Sequence, residues 1–194
     1  MTEDGTRTGP GGAWVSTIKV SNELVRSNAV PQIRGWAAAL KDGLPSDQLT
    51  GGTLALRQMA HFVTTVEGAD LVLSELEDFA EVVEYDPVRH VAMVIGKRDA
   101  PRCTPIIWLM LKVFPGAEGV AILPGLAMGN VRSVRRSPRG SFDEAFAVAE
   151  AMKGSGRERV LGPAAATFEH VGTILVMPPQ GDPASVLQLL GEGA

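Results

Sequence analysis

The chain of 194 residues contains one cysteine, one tyrosine and three histidines, and the small numbers of cysteine and histidine limit the disulfides and metal sites that it can form. A single cysteine, Cys103, excludes an internal disulfide framework and is typical of a protein in a reducing cytoplasm. The three histidines are widely separated and form neither an H-x-H nor an H-x-x-x-H pair, which are common spacings of metal ligands. We therefore expect a cytoplasmic protein whose histidines do not form a metal site.

The sequence also lacks long apolar runs and any excess of basic residues. Its stretch from Thr104 to Phe114 is interrupted by Lys112 and closed by Pro115, so it is too short to span a bilayer. The 18 basic and 22 acidic residues give a net charge of −4, and the arginines at 132–139 have no interleaved aromatic residues for base stacking. We expect neither a membrane nor nucleic acid as a partner.

Length and a hydrophobic content of 45% indicate one domain with one substantial core. Residues 1–13, rich in glycine, threonine and charge, are predicted to be a flexible tail, and residues 14–194 the domain. Proline and glycine punctuation and apolar spacing predict helices at Trp14–Ser27, Pro31–Lys41, Thr104–Phe114, Phe142–Met152 and Pro183–Leu190. Short β-rich runs predict strands at Thr53–Arg57, Phe62–Val66, Phe79–Glu84, Val91–Ile95, Val120–Leu123, Arg159–Leu161 and Thr173–Met177. This order is typical of an α/β protein.

The helix predicted at Phe142–Met152 has the clearest start signal in the chain. Ser141 can cap it, and Glu144, three residues later, can complete a capping box. Phe142 and Phe146 share one face of the helix, as expected for a helix that packs on a core. Glu144 is therefore expected to take part in capping this helix.

Four segments occur in an order that resembles the class II aldolase and adducin family. Gly51-Gly52-Thr53-Leu54-Ala55-Leu56-Arg57 is similar to that family's Gly-Asn-x-Ser-x-Arg turn and strand, and Val63-Thr64-Thr65-Val66-Glu67-Gly68 to its Ile-Thr-x-Ser-Gly segment. Pro101-Arg102-Cys103-Thr104-Pro105-Ile106-Ile107-Trp108 resembles Ser-Ser-Glu-Thr-Pro-x-His-Trp, and Phe114-Pro115 the aromatic-proline end of that helix. Each match is weak, whereas their order is specific.

The resemblance implies a three-layer α/β fold with a mostly antiparallel central sheet flanked by helices. It also implies a homo-oligomer, commonly a tetramer with sites between subunits. In such enzymes three histidines hold a divalent metal and a glutamate moves the proton. Here Ile122 and Pro124 occupy the positions of a histidine pair, and Cys103 occupies that of the glutamate. We therefore expect no metal and no cofactor.

Six residues remain as site candidates. Cys103 and Glu67 are the catalytic candidates, because a helix start beside Cys103 can lower the pKa of its thiol and Glu67 sits in a loop where it can act as acid or base. Glu67 stands where the family places a phosphate-binding serine, so a phosphorylated substrate is disfavoured. The candidates for substrate binding are Arg102, Thr53, Gly68 and His170. A buried structural Cys103 and a solvated Glu67 are the alternatives.

Two hypotheses about function follow. The first is a divergent class II aldolase-like enzyme that works without a metal, with lyase, isomerase or cyclase chemistry on a small non-phosphorylated metabolite. It predicts a concave pocket around Glu67, Arg102 and Cys103. The second is a catalytically inactive, adducin-like binding or structural subunit of an oligomer. It predicts a filled or apolar pocket and a large apolar surface.

Overall fold

The computed structural model describes residues 15–127, 131–135, 137–153, 164–179 and 181. In these residues the strands are β1 (Ser16–Ser21), β2 (Thr53–Gln58), β3 (His61–Thr65), β4 (Phe79–Asp86), β5 (Val91–Ile95), β6 (Gly119–Leu123), β7 (Val131–Arg132), β8 (Ala164–Phe168) and β9 (Gly172–Met177). The helices are α1 (Ala29–Gly43), α2 (Ser46–Leu49), α3 (Thr104–Val113) and α4 (Phe142–Lys153), with a 3-10 turn at Leu76–Asp78. The predicted tail, the strand Arg159–Leu161 and the helix Pro183–Leu190 lie outside the described residues.

The first predicted helix is wrong. Within Trp14–Ser27, residues Ser16–Ser21 form β1, which pairs in parallel with β5 so that Ser16 lies opposite Val91. Residues of β1 alternate between exposed and half-buried, the period of a strand, and its threonine, isoleucine and valine are β-branched. The open edge of β5 supplies backbone partners that a local sequence pattern cannot reveal.

The other predicted elements within the described residues are confirmed, with ends that differ by at most two residues. The helices at Pro31–Lys41, Thr104–Phe114 and Phe142–Met152 are α1, α3 and α4. The predicted strands that lie in the described part are β2, β3, β4, β5, β6 and β9. No helix in this part of the chain is long and apolar enough to cross a membrane.

The strands of the described residues form one mixed sheet in the order β1-β5-β4-β3-β2-β6-β9-β8-β7. At both edges the pairing is parallel, β1 with β5 and β7 with β8, and the pairings between them are antiparallel. The predicted α/β class is confirmed. The sheet is mixed, however, so the mostly antiparallel, three-layer arrangement expected is confirmed only in part: the edge strands β1 and β7, which the sequence did not predict, add two parallel pairings.

Apolar side chains cover both faces of the central strands. On β2, Leu54 packs into a core with Ile33 and Trp36 of α1, whereas Ala55 points to the opposite core, which contains Met110 of α3. Full burial of a side chain such as Leu54 contributes about 1.5–3 kcal/mol. Because both faces are buried, the middle of β2 and all of β6 are apolar, and these strands hold the ends of their neighbours in fixed positions.

Arg57 of β2 anchors the C-terminal end of α3. Its Nε donates to the carbonyl oxygen of Ala117 at 2.8 Å, and its Nη2 donates to the carbonyl oxygens of Leu111 and, at 3.3 Å, Phe114. The last carbonyls of a helix have no partners within the helix, so a cation there stabilises it. Arg57 therefore has a structural role.

Candidate functional site

The opposite end of α3 opens onto a cavity where several elements meet. β2 begins at Thr53, which pairs with Ile122 near the end of β6, and α3 begins directly after Cys103. The first turn of α4 and the turn between β8 and β9 complete the walls. We call this space, of about 300 Å³, the inner cavity; its polar lining includes Thr53, Glu67, Arg102, Cys103, Glu144 and His170.

The β8–β9 turn reaches the cavity because glycine permits a close approach. Gly172 has φ 91°, and a Cβ atom on it would lie 2.4 Å from both the carbonyl oxygen of Leu123 and the Cα of Pro124. No side chain fits there, so the turn packs directly on the end of β6. This contact brings His170, which lies in the turn, to the cavity wall.

Five of the six site candidates line the inner cavity. Cys103, Glu67, Arg102, Thr53 and His170 converge there although up to 117 positions separate them in the chain. Gly68 instead lines a neighbouring cavity of about 550 Å³, which shares Gly51 with the inner cavity. Its φ of 76° is the left-handed conformation that favours glycine, so Gly68 shapes the turn that presents Glu67.

Burial determines the chemistry of Cys103. Desolvation raises the pKa of its thiol to about 12, and the hydroxyl of Thr53, which acts in the opposite direction, is the smaller influence. The prediction that the start of α3 lowers this pKa is therefore wrong, because burial outweighs the helix end. A thiol with this pKa stays protonated at neutral pH, where it can donate a hydrogen bond but does not act as a thiolate nucleophile.

Glu67 and Arg102 form an ion pair at the mouth of the cavity. Arg102 Nε lies 3.2 Å from Glu67 Oε1, and both side chains are about half exposed, 46% and 55%. The loop is held from behind, since Arg98 donates to the carbonyl oxygen of Glu67 at 2.7 Å and contacts Asp78 at 2.8 Å. A solvated pair of this kind contributes about 0–1 kcal/mol to stability, so a ligand can rearrange it at little energetic cost.

Glu144 is the site residue that sequence reasoning missed. It lies in the first turn of α4, is only 7% exposed, and lines the inner cavity. Its Oε2 accepts the Gly140 N–H at 2.7 Å, while its own N–H donates to Ser141 Oγ at 3.1 Å. The predicted capping arrangement is thus present, although the carboxylate bonds to the residue before Ser141. The sequence pattern indicates only a helix cap, whereas burial at the cavity also makes Glu144 a candidate site residue.

The surroundings of Glu144 act on its pKa in two directions. Desolvation raises the pKa of the carboxyl, and it outweighs the hydrogen bond from Gly140 and the charges of Arg139 and His170, which lower it. Glu144 consequently holds a proton at higher pH than an ordinary glutamate. Carboxyl groups tuned in this way are frequent among groups that exchange protons with a substrate.

A second cavity of about 590 Å³ adjoins the first, and we call it the outer cavity. The two share Pro124, Arg139, Glu144, His170 and Val171, so they meet at the Glu144 carboxylate. Arg139 Nη2 donates to the carbonyl oxygen of His170 at 2.9 Å, which ties together the two loops at this junction. Together the cavities have room for a small metabolite with a polar tail.

The residues at the inner cavity do not fit the three-histidine metal centre that the class II aldolase resemblance implies. Neither Ile122 nor Pro124 has a side-chain atom that can bind a metal. Among the described residues, no three His, Cys, Asp or Glu side chains are grouped so that they could hold a metal ion.

The three histidines also lie in different places. His61 Nε2 contacts Glu81 at 2.8 Å and His90 Nδ1 lies 2.7 Å from the Tyr85 hydroxyl, whereas His170 is at the cavity.

Comparisons with known proteins place this geometry in context. No protein-family model and no curated protein sequence matches the chain. An L-fuculose 1-phosphate aldolase matches its structure with a TM-score of 0.61 and 13% identity, covering 87% of this chain and 82% of that one. YgbL from Escherichia coli, a putative aldolase/epimerase/decarboxylase, gives 0.55 and 14% over 84% of both chains, and L-fuculose-1-phosphate aldolase from Thermus thermophilus gives 0.57 and 15% over 83% and 86%.

The chain therefore has the fold of these aldolase and YgbL structures, in agreement with the resemblance that the order of its sequence segments indicated. Identities of 13–15% establish this fold and nothing finer. The chemistry of this chain depends on the residues that line its own cavity.

Proposed function

We propose that this chain is a metal-independent enzyme of the lyase, isomerase or cyclase type, which moves protons on a small non-phosphorylated metabolite. The observation that carries the proposal is the convergence of Cys103, Glu67, Arg102 and His170 on one open cavity. Their residue types and segment order alone mark all four as site candidates. A cavity with convergent polar and charged groups is the usual setting of an active or binding site.

Each group has a role that its environment suits. The neutral Cys103 thiol donates a hydrogen bond to a substrate oxygen, with Thr53 beside it as a second hydroxyl donor. Glu67 accepts a proton, and Arg102, its ion-pair partner, turns its planar guanidinium to a carboxylate or hydroxyl of the substrate. His170 closes the site from the β8–β9 turn.

The preference for a non-phosphorylated substrate follows from the Glu67–Arg102 pair. Arg102 already faces a carboxylate at 3.2 Å, so its charge is largely compensated. Arg102 compensates the charge of Glu67 to the same extent, so the pair offers no net positive charge that would attract a phosphate dianion. The pair therefore suits a neutral or singly charged group.

Proton transfer to and from carbon can be tested with a panel of candidate substrates. Purified protein is incubated in D₂O with hydroxyketones, hydroxyaldehydes and keto acids, and loss of each C–H signal is followed by ¹H NMR. We expect exchange with at least one compound, and about 10²-fold slower exchange for Cys103→Ala and Glu67→Gln. Glu77→Gln, in the exposed 3-10 turn, is the matched control and should exchange normally. Unchanged rates in both cavity variants would rule out these catalytic assignments.

A second candidate function, a binding or structural subunit of an oligomer, is favoured by one apolar surface. Ile18 and Val20 of β1 are 53% and 51% exposed, and Met93, opposite Ile18 on β5, is 36% exposed. We propose that this edge is where copies of the chain associate, in a tetramer if it assembles as class II aldolases do.

Light scattering tests this association. Ile18→Lys should lower the molar mass, while Val88→Lys, at a turn position that is 92% exposed, should not. An unchanged mass for Ile18→Lys would contradict this interface. A non-catalytic subunit, in addition, would show no exchange with any compound of the panel.

A further inference from the structure

We infer that Glu144 is a catalytic proton-transfer residue of the inner cavity, acting beside the groups that the sequence singled out. The inference rests on the proposed function and adds to it the group that exchanges a proton with the substrate from the α4 side. It is carried by the position of Glu144 at the junction of two cavities and by its burial.

One oxygen of the Glu144 carboxylate is held by a hydrogen bond, and the other is available to a ligand. Oε2 accepts the Gly140 N–H at 2.7 Å, and among the described residues no hydrogen-bond donor reaches Oε1. Both cavities are lined by this side chain, so a ligand in either can contact it. Rigid placement by a backbone hydrogen bond, with one oxygen left over, suits a general acid or base.

Capping alone does not explain a carboxylate here. The start of α4 is already capped by Ser141 Oγ, and a glutamine could accept the Gly140 N–H without the penalty of a buried charge. Only 7% of Glu144 is exposed, and no side-chain nitrogen lies within 4 Å of its carboxylate among the described ion pairs. An ionisable group kept in such a position at a cavity is typical of an active site.

The proton transfer takes place between Glu144 and a carbon atom of the bound substrate. Glu144, as a carboxylate, takes the proton from a carbon next to a carbonyl of the bound substrate. The C–H bond breaks, its electron pair forms a C=C bond to the carbonyl carbon, and the π pair of the C=O bond moves onto the oxygen, which the Cys103 thiol stabilises with a hydrogen bond. In an isomerisation of a hydroxycarbonyl compound, the charged oxygen takes the proton of the neighbouring hydroxyl, that hydroxyl oxygen becomes the new carbonyl, and Glu144 returns its proton to the former carbonyl carbon. In a lyase reaction, the C=O bond re-forms and the electron pair of the C=C bond expels a substituent from the adjacent carbon, which leaves with its bonding electrons and takes the proton from Glu144.

The charged and titratable groups around Glu144 come from three directions. Arg139 precedes it on the loop that leads into α4, and His170 faces it from the β8–β9 turn. Cys103 faces it from the start of α3, with the Glu67–Arg102 pair also on the inner cavity. On the outer cavity, Arg135 and Glu169 are added to this set. The rate should therefore follow the titration of this cluster, with Glu144 as its most buried carboxyl group.

Three variants of the full chain test the inference in the D₂O exchange assay. Glu144→Gln keeps the size and the acceptor for Gly140 but cannot carry the proton; we expect exchange to fall about 10²–10⁴-fold. Glu144→Asp keeps a carboxylate on a shorter side chain, and we expect intermediate activity with a displaced pH profile. Asp143→Asn, a neighbour in the same helical turn that does not line the inner cavity, is the matched control and should match the wild type.

The outcomes separate this inference from the proposed function. If the wild type exchanges and Glu144→Gln exchanges within about threefold of it, Glu144 is not catalytic, while the proposed function stands. If the wild type exchanges no compound of the panel, the proposed function fails and the inference fails with it. If Glu144→Gln fails to fold, as judged by its thermal transition, Glu144→Asp decides: wild-type rate with an unchanged pH profile would overturn the inference.

Discussion

The two ends of α3 make different contacts with the rest of the molecule. At the C-terminal end, Nε and Nη2 of Arg57 donate hydrogen bonds to three backbone carbonyls, so these donors are used within the protein. At the N-terminal end, Cys103 has no capping hydrogen bond to α3, and Arg102 makes a half-exposed ion pair over an open cavity. One arginine stabilises the helix, and the other lies where a ligand can reach it.

The difference shows how one helix serves stability and function at once. The Arg57 end fixes the position of α3 against β2, and the rigid helix then holds the Cys103 end at the cavity. Substitutions at the first end should therefore affect unfolding, and substitutions at the second should affect chemistry and binding. Four measurements can separate these two behaviours.

The largest expected effect concerns the reactivity of Cys103. Burial raises the pKa of this thiol from 9.0 to about 12, so at about pH 8 the folded protein holds about 10³-fold less thiolate than the unfolded chain. Alkylation by iodoacetamide, followed by mass spectrometry, should be slower in the native protein by about this factor. Equal rates with and without denaturant would show that Cys103 is a solvated, ordinary thiol.

Next in size is the loss of Arg57. Arg57→Met keeps the apolar stem but leaves the carbonyls of Leu111, Phe114 and Ala117 without this donor. We expect the free energy of unfolding to fall by about 2–3 kcal/mol, measured by urea denaturation, because hydrogen bonds from a charged donor are lost at a half-buried site. A loss below about 0.5 kcal/mol would mean that water replaces Arg57 and that the two helix ends are alike.

Arg102→Met, the counterpart at the other end, should behave differently. Its ion pair with Glu67 is about half exposed, so the expected loss of stability is below about 1 kcal/mol. The effect should appear instead as a raised KM for any carboxylate-bearing compound that the exchange assay identifies. A stability loss as large as that of Arg57→Met, with KM unchanged, would assign Arg102 a structural role.

The smallest expected effect is a pH-dependent change in stability for Glu144→Gln. Because burial raises the folded-state pKa of Glu144 above its usual value of 4.5, ionisation destabilises the folded state above that raised pKa and has no effect below pH 4.5. The variant cannot ionise, so its Tm relative to wild type should rise by roughly 1–3 °C between about pH 4 and pH 8. A relative Tm that falls over this range would show that the carboxylate is stabilising.

The predictability of this fold from sequence depended on whether the signal was local. Helices such as α3 and α4 carry their own start and stop residues, and β2 to β6 alternate with turn residues, so their order could be predicted. β1 could not, because its conformation depends on pairing with β5, 75 positions later, and its residues suit either structure. The conformation of β1 is therefore determined by its pairing with a distant strand and not by local propensity.

The site also contains residues that the sequence predicts and one that it does not. Cys103, Glu67 and Arg102 could be found because they occupy recognisable places in an ordered set of segments. Glu144 could not, since a glutamate three residues after Ser141 has a sufficient explanation as a cap, and only the structure shows that it is buried at a cavity. Burial and a shared cavity are properties of the folded chain, which no spacing encodes.

The most direct test of the central claim is the D₂O exchange assay on protein with a measured metal content. The protein is treated with a chelator, its residual metal is determined by mass spectrometry, and exchange is compared before treatment, after treatment and after addition of Zn²⁺, Mn²⁺ or Co²⁺. We expect the same exchange rate in all samples, with loss of exchange in Cys103→Ala and Glu144→Gln. Exchange that disappears with the metal and returns on its addition would contradict this expectation.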